Sequence, residues 1–524
     1  MSTTTISGGT IVDGTGAPRR RADLVIDGER IGQIGFDVPR SDRVIDATGK
    51  IVCPGFIDMH SHSGILALVE PELLPKVHQG ITTEVPGVDG LAAAPIRREH
   101  HAQWRAHISG LDGNPPIEWR WQTFGEYLGQ LPRTGPNLAP LTGHGNLRIS
   151  VVGMENRPAS ADEIRRMCDL FRHSIEEGAS GLSTGLVYAP HAYATYHELL
   201  ALARVVGETD TIFAVHMRFE GARVIESLRE WVRIGGESGA SIHISHFKAM
   251  GKMSWGLGKA LRDEVGAARA NGVDITVDQY PYTAGSTMLG ACLPPWAHAL
   301  GIEGLRRALK DAAVLARMEP EIAQGLPNWE SYAQHAGWEN VVVSSVESSG
   351  NEWCVGRSLA DIAREWQCTS FQALIRLLLE EDFAVGMIIH MMDPADVDTL
   401  LTMEGGHMIG TDGLLGGKPH PRVYGTYPRL LGRYVRERGL LPLEALIHKA
   451  TGLPASRLRI TDRGVLRAGA YADVVVFDPA TVADRATFED PRQFPVGIEH
   501  VFVNGQAVIS EGRPTRATPG RVLS

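Results

Sequence analysis

The hydrophobic pattern changes character along the chain. Near both ends, apolar positions come in short runs that stop at turn residues: Thr10-Ile-Val-Asp13-Gly14, Leu24-Val-Ile-Asp27-Gly28 and Val44-Ile-Asp46 at one end, Ala472-Asp-Val-Val-Val-Phe-Asp478 at the other. Such runs read as strands. Residues 501–509 read as a hairpin, because the Asn504-Gly505 pair tolerates the positive φ of a tight turn. In the middle, strand-length apolar runs alternate with amphipathic helical stretches such as 161–177 and 197–208, the pattern of a parallel sheet with crossover helices. Strand candidates end at His62, Glu84, His144, near Thr184, and at His216, His246, Tyr280 and Asp412. Eight such ends predict an α/β fold, a (β/α)8 TIM-like barrel, and the two β-rich chain ends are expected to pair into one small β-domain. The expected division is 1–57 and 466–524 for the two parts of that domain and 58–465 for the barrel. A Trp-, Pro- and Leu-rich piece from about 288 to 345, with a helix over 305–318, interrupts the rhythm and reads as a lid. A packing appendage or an oligomer contact is the plainer alternative.

Barrel active sites lie at the C-terminal ends of the strands, so the polar residues there carry the chemistry. Residues 51–64 read IVCPGFIDMHSHSG. Pro54 and Gly55 end one element, and the next apolar run leads into His60 and His62. Side chains alternate along a strand, so both imidazoles face one way and reach one metal ion at about 2.0–2.1 Å. His216 closes the run 211–215 and His246 the run 241–245; His243 has the opposite parity and lies farther from the mouth. Asp412 ends the run 407–411. One strand-end histidine is more often a satisfied structural residue than a ligand. Together these residues supply four imidazoles and a carboxylate, enough for one or two zinc-like ions with a position open to water.

Composition narrows the partners. The 524 residues are 43% hydrophobic and 21% charged with a net charge of −10, which disfavours nucleic acid and anionic membranes and leaves a small-molecule substrate. The five cysteines are scattered, without CxxC spacing, so a disulfide framework is not expected and a reducing cytoplasm fits. The opening Met-Ser-Thr-Thr-Thr lacks the features of a signal peptide, and no apolar run approaches the roughly 20 residues of a membrane span. A homo-oligomer stays open.

The order and setting of these residues resemble the amidohydrolase superfamily, and within it the N-acyl-D-amino-acid deacylase (D-aminoacylase) family. The likeness runs over nearly the whole chain: GTIVDGTG, PGFIDMHSHS, LTGHGNLR, GLSTGLVYAP, HMRFE, ISHFK, DQYPYTAGST, IGTDG, HPRVYGT, TGLPASRLRITDRG, AYADVVVFDP and VNGQAVISEG. The resemblance implies a barrel with a small β-sandwich domain formed by both chain ends, zinc dependence (one or two ions, other divalent metals being accommodated) and hydrolysis of the amide of N-acyl-D-amino acids. It implies His60, His62 and Asp412 at one ion, His216 and His246 at the other, and Lys248, Tyr280, Ser286 and Arg422 around the substrate's α-carboxylate.

One departure stands out. Members of that family commonly carry a cysteine ligand in a GNCG segment, where this chain reads Gly87-Val88-Asp89-Gly90. Aspartate ligates zinc at similar distance but is a harder donor. Asp89 is expected as ligand or bridge, against a turn residue that binds nothing, with Glu84 in reserve. No lysine lies between Lys76 and Lys248, so the lysine-bridged centre of hydantoinases and dihydroorotases is hard to build. The expected mechanism is attack by activated water, with Asp412 as general base and then acid, and Lys248 and Arg422 clamping the carboxylate. His144 either polarises the carbonyl or supports other groups. Arg218 and Glu220 read as an ion pair orienting His216; His78, His100, His101 and His191 read as surface or loop residues. Another amide, ester, lactone or carbamate is the alternative substrate, and a non-catalytic binding barrel the alternative class.

Overall fold

A computed structural model describes residues 3–36, 38, 41 and 43–523. Eight strands surround the middle of the molecule: β1 (Phe56–Ser61), β2 (Ile81–Pro86), β3 in two pieces (Asn137–Leu138 and Thr142–Gly143), β4 (Gly181–Gly185), β5 (Ile212–His216), β6 (Ser241–Ile244), β7 (Ile275–Gln279) and β8 (His407–Ile409). Each pairs parallel with its neighbour from β1 round to β8. Ala139 and Leu141 N–H groups donate to Glu84 and Pro86 carbonyls at 2.8 and 2.9 Å, carrying the β2 contact across the break in β3. The ring closes where Asp412 N–H donates to the His60 carbonyl at 2.8 Å and Ser61 bridges Gly413. The strands are buried on both faces because crossover helices cover them. Ala161–Glu176 starts at a capping box, with Ser160 and Glu163 each accepting from the other's backbone N–H, and Tyr196–Glu208 starts at Thr195.

Most strand ends lie a residue or more from the expected ones, and three of the differences matter for the site. β6 stops at Ile244 and β8 at Ile409, so His246 and Asp412 stand on turns just beyond their strands. His144 opens the helix His144–Val151, because Gly143 takes the N-cap position.

Both chain ends build two sheets. Thr10–Ile11, Arg20–Arg21 and Ile51–Pro54 share a seven-stranded sheet with Val474–Phe477, Ile498–Val503, Gln506–Ser510 and Arg513–Pro514; Thr3–Ser7, Asp23–Asp27, Arg30–Gly35 and Arg43–Asp46 form a four-stranded one. Ile6, Leu24, Ile26, Val52, Val474 and Phe502 meet in one buried cluster. Asn504 and Gly505 turn the hairpin with φ of 49° and 76°.

Between β7 and β8 the chain leaves the barrel. Ala284–Met288 pairs antiparallel with Gly386–His390, and that strand with Val341–Ser345. The excursion therefore starts before 288 and continues past 345, because strands distant in sequence share its sheet. Its helix is two, Gly301–Ala308 and Ala312–Gln324, since the Asp311 side chain accepts from Ala313 and Val314 N–H and starts the second. Among the described residues, no helix is long and apolar enough to cross a membrane.

Candidate metal centre

Two groups of donors converge at the C-terminal end of the barrel. His60, His62, Asp89 and Asp412 bring ligand atoms within 4.8 Å of one another, and so do Asp89, His216 and His246. Asp89 belongs to both. Its Oδ2 lies 3.6 Å from both His60 Nε2 and His62 Nε2, and its Oδ1 3.8 Å from His216 Nδ1 and 3.6 Å from His246 Nε2. Asp412 Oδ1 completes the first group at 3.5 Å from His60 and 3.3 Å from His62.

Local structure explains the presentation. The strand period puts His60 and His62 on one side of β1 and its continuation. Asp89 rides a turn after β2 that a hydroxyl of β4 clamps: Gly90 N–H donates to Ser183 Oγ at 2.9 Å, and Ser183 donates to the Gly87 carbonyl at 2.5 Å. Gly185 permits the approach, since a Cβ there would stand 2.4 Å from the Asp89 carbonyl oxygen. Asp89, His246 and Asp412 all have positive φ, at 57°, 36° and 50°. Such backbone in non-glycine residues gathers at functional sites.

The donor set fits a divalent cation. Both ring nitrogens of His60, and His62 Nε2, Asp89 Oδ1 and His216 Nε2, are buried without a hydrogen-bond partner. Of these, His60 Nε2, His62 Nε2 and Asp89 Oδ1 face the other donors, and leaving such atoms unsatisfied costs roughly 1–3 kcal/mol each, which a bound ion would remove. Electrostatics agree. Burial alone would depress the His62 imidazole, but the Asp112 and Asp412 carboxylates raise it to about 9. Asp89 is held well below the usual carboxylate range despite burial, by His60 and His246. Behind the ligands, Asp112 Oδ1 lies 3.2 Å from His62 Nδ1 and Asp278 Oδ2 3.7 Å from His60 Nδ1. His243 faces away, bonded to Thr276 and Asp278 at 2.8 and 3.0 Å.

Asp89, His216, His246 and Asp412 line a narrow cleft together with Lys248, Tyr280, Ser286 and Tyr332. Arg422 is fully buried; its Nη2 lies 2.9 Å from Asp412 Oδ1, its Cζ sits 4.5 Å over the Tyr280 ring, and its Nε and Nη1 have no partner. Ser286 donates its hydroxyl to the Met387 carbonyl at 2.9 Å, while its own carbonyl accepts from Arg422 at 3.2 Å. Lys248 Nζ is held 2.7 Å from Glu220 Oε1.

Several expectations need correction. His144 is not turned to the cleft: its ring nitrogens bond Thr184 and Glu198, both at 2.9 Å, and Arg148 shares Glu198 at 2.6 Å. Arg218 does not pair with Glu220; it reaches Glu230 and the carbonyls of Ala192 and Ala194, while Glu220 faces Lys248 and the histidines. His191 is fully buried and donates Nε2 to the Asp89 carbonyl at 3.0 Å; His78 is buried against Phe494. Glu84 stands outside the donor groups, accepting from Ser61 and Ser63 beside Lys76. Asp112, Asp278 and the contacts of Glu220 with Lys248 and His246 escaped the sequence, although Asp278 in DQYPY carried a signal as the last acidic residue of a strand.

A family profile described as "Amidohydrolase family" matches residues 43–509. A D-aminoacylase of Alcaligenes xylosoxydans xylosoxydans is 37% identical over 524 residues, covering 99% of this chain and 97% of that protein. A solved D-aminoacylase, described as having a binuclear metal center, matches with a TM-score of 0.85 and 36% identity over 99% of each chain. The N-acyl-D-glutamate deacylase of Bordetella bronchiseptica, solved with zinc and a phosphonate mimic of the tetrahedral intermediate, matches with a TM-score of 0.83 and 35% identity over 99% of each chain. With one profile spanning most of the chain and relatives alike from end to end, this protein belongs to the amidohydrolase family, in its D-aminoacylase branch.

Proposed function

We propose that this chain is a zinc-dependent deacylase that hydrolyses the amide of N-acyl-D-amino acids. The observation that carries the reading is the sharing of Asp89 between two buried donor groups beside the unsatisfied guanidinium of Arg422. His60, His62, Asp89 and Asp412 would hold one ion, and Asp89, His216 and His246 another; nitrogen and carboxylate donors suit zinc. A bound ion supplies a water of near-neutral pKa and an electrophile for the scissile carbonyl. Asp412 stays anionic despite burial, chiefly through Arg422 and His60, and so accepts the proton of the attacking water and returns it to the leaving amine. The free Nε and Nη1 of Arg422 offer donors to the substrate carboxylate, with Tyr280 fixing the guanidinium plane. Lys248 adds a second positive charge and Ser286 a wall. The choice of the D-series rests on likeness to the relatives. The free, scattered cysteines support a cytoplasmic setting.

The test is metal analysis combined with hydrolysis of an N-acetyl-D and N-acetyl-L amino-acid panel. Amine release from the D-series alone, lost with a chelator and restored by zinc, is expected; Asp412→Asn should lower kcat by about 10²–10⁴. Turnover by a metal-free preparation, or none with metal bound, would refute the assignment.

A further inference from the structure

Glu220 addresses the outer edges of two imidazoles at once. Its Oε1 lies 3.1 Å from His246 Nδ1 and its Oε2 3.5 Å from His216 Nε2, the nitrogens turned away from Asp89. The inner nitrogens, His246 Nε2 and His216 Nδ1, are the ones near Asp89, and they lie 2.9 Å from each other. An imidazole binds a cation through an unprotonated nitrogen while the other nitrogen donates to a carboxylate, carbonyl or water, and that partner decides which nitrogen is free. Lys248 competes for the same place: its Nζ lies 2.7 Å from Glu220 Oε1 and 2.8 Å from His246 Nδ1. A lysine donating to Nδ1 leaves the imidazole proton on Nε2, the nitrogen a cation needs. The loop is anchored from outside, because Glu330 accepts from the N–H groups of Glu220 and Gly221 at 3.0 and 2.8 Å.

We propose that Glu220 is a positioning residue that aims His216 Nδ1 and His246 Nε2 at a cation beside Asp89, and that Lys248 opposes it by holding His246 Nδ1. The inference rests on reading Asp89, His216 and His246 as a cation position. It assigns opposite effects to two residues that touch each other. Removing the Glu220 charge leaves the outer nitrogens without their acceptor and weakens the ion held there. Removing the Lys248 ammonium releases His246 Nδ1 to Glu220 and strengthens it.

The experiment is equilibrium dialysis of the metal-stripped, full-length protein against Zn2+, with bound zinc counted and the Co2+ absorption spectrum recorded as an independent view of the ligand set. Wild type is expected to bind two ions. Glu220→Gln should bind one ion with unchanged affinity and the other, at Asp89, His216 and His246, about 10–100-fold more weakly, Glu220→Asp should recover part of the loss, and Lys248→Met should tighten that same ion. The unaffected ion reports that the fold is intact. Wild-type binding of both ions by Glu220→Gln, or equal weakening by Lys248→Met, overturns the proposal. A wild type that binds no ion, or two ions held with unchanged affinity by His216→Ala, overturns the cation position itself and the proposal with it.

Discussion

Asp89 is the residue on which both donor groups turn, and it stands where the family resemblance leads one to expect a cysteine. A carboxylate offers two oxygens, and here each faces one pair of histidines. A carboxylate also binds hard ions that a thiolate disfavours. Asp89→Cys is therefore expected to keep zinc and lose activity supported by Mn2+, as metal content and activity after reconstitution with each ion will show; equal support by Mn2+ in both proteins contradicts this. At the same scale, the sequence was legible where local period decides direction. His60 and His62 share a face because a strand alternates, and no other information is needed. Glu220 was assigned to Arg218 because the two are close in the chain, yet its partner is Lys248, delivered by the next strand. His144 stays open in the sequence between polarising the carbonyl and supporting other groups; its nitrogens are spent on Thr184 and on Glu198, the latter 54 residues away, which is the supporting arrangement.

At the level of elements, the barrel strands were legible because each is a buried apolar run followed by an amphipathic helix. The sheet of the excursion was not, since Ala284–Met288, Val341–Ser345 and Gly386–His390 meet only in three dimensions. One contact fastens that excursion to the catalytic end. Glu330 accepts from the N–H groups of Glu220, Gly221 and Arg223, at 3.0, 2.8 and 3.1 Å, at the start of the helix Val224–Ser238. Two residues on, Tyr332 lines the cleft. Glu330→Ala should strip three amides of their acceptor, raise KM several-fold and speed proteolytic cleavage near 325–340, measured by steady-state kinetics and limited proteolysis. An unchanged KM with unchanged cleavage would show that the segment holds without this tie.

For the whole molecule, the small sheets are locked to the barrel by a buried polar knot. Asp473, on the seven-stranded sheet side, pairs with Arg463 and accepts from Asn504 N–H at 2.7 Å and from Asn137 Nδ2, on β3, at 3.2 Å. Asn504 returns a bond to Asn137 at 2.9 Å and takes in the Pro519 carbonyl at 2.9 Å. Asp473→Ala would leave the Arg463 guanidinium buried and unpaired, a loss of about 3–5 kcal/mol, seen as a lower melting temperature in differential scanning calorimetry. A melting temperature within a degree of wild type would mean the two parts do not depend on this knot. The hairpin that delivers Asn504 was legible from its Asn-Gly turn; its grip on β3 was not, because Asn137 lies 367 positions away.

The left-handed backbone at Asp89, His246 and Asp412 carries an evolutionary consequence. Each residue occupies a conformation in which glycine would sit at ease, at an expense of order 1–3 kcal/mol apiece. Drift governed by folding alone would erode these side chains first. A chain relieved of holding an ion should therefore accept glycine or asparagine at these three positions while its scaffold grows sturdier.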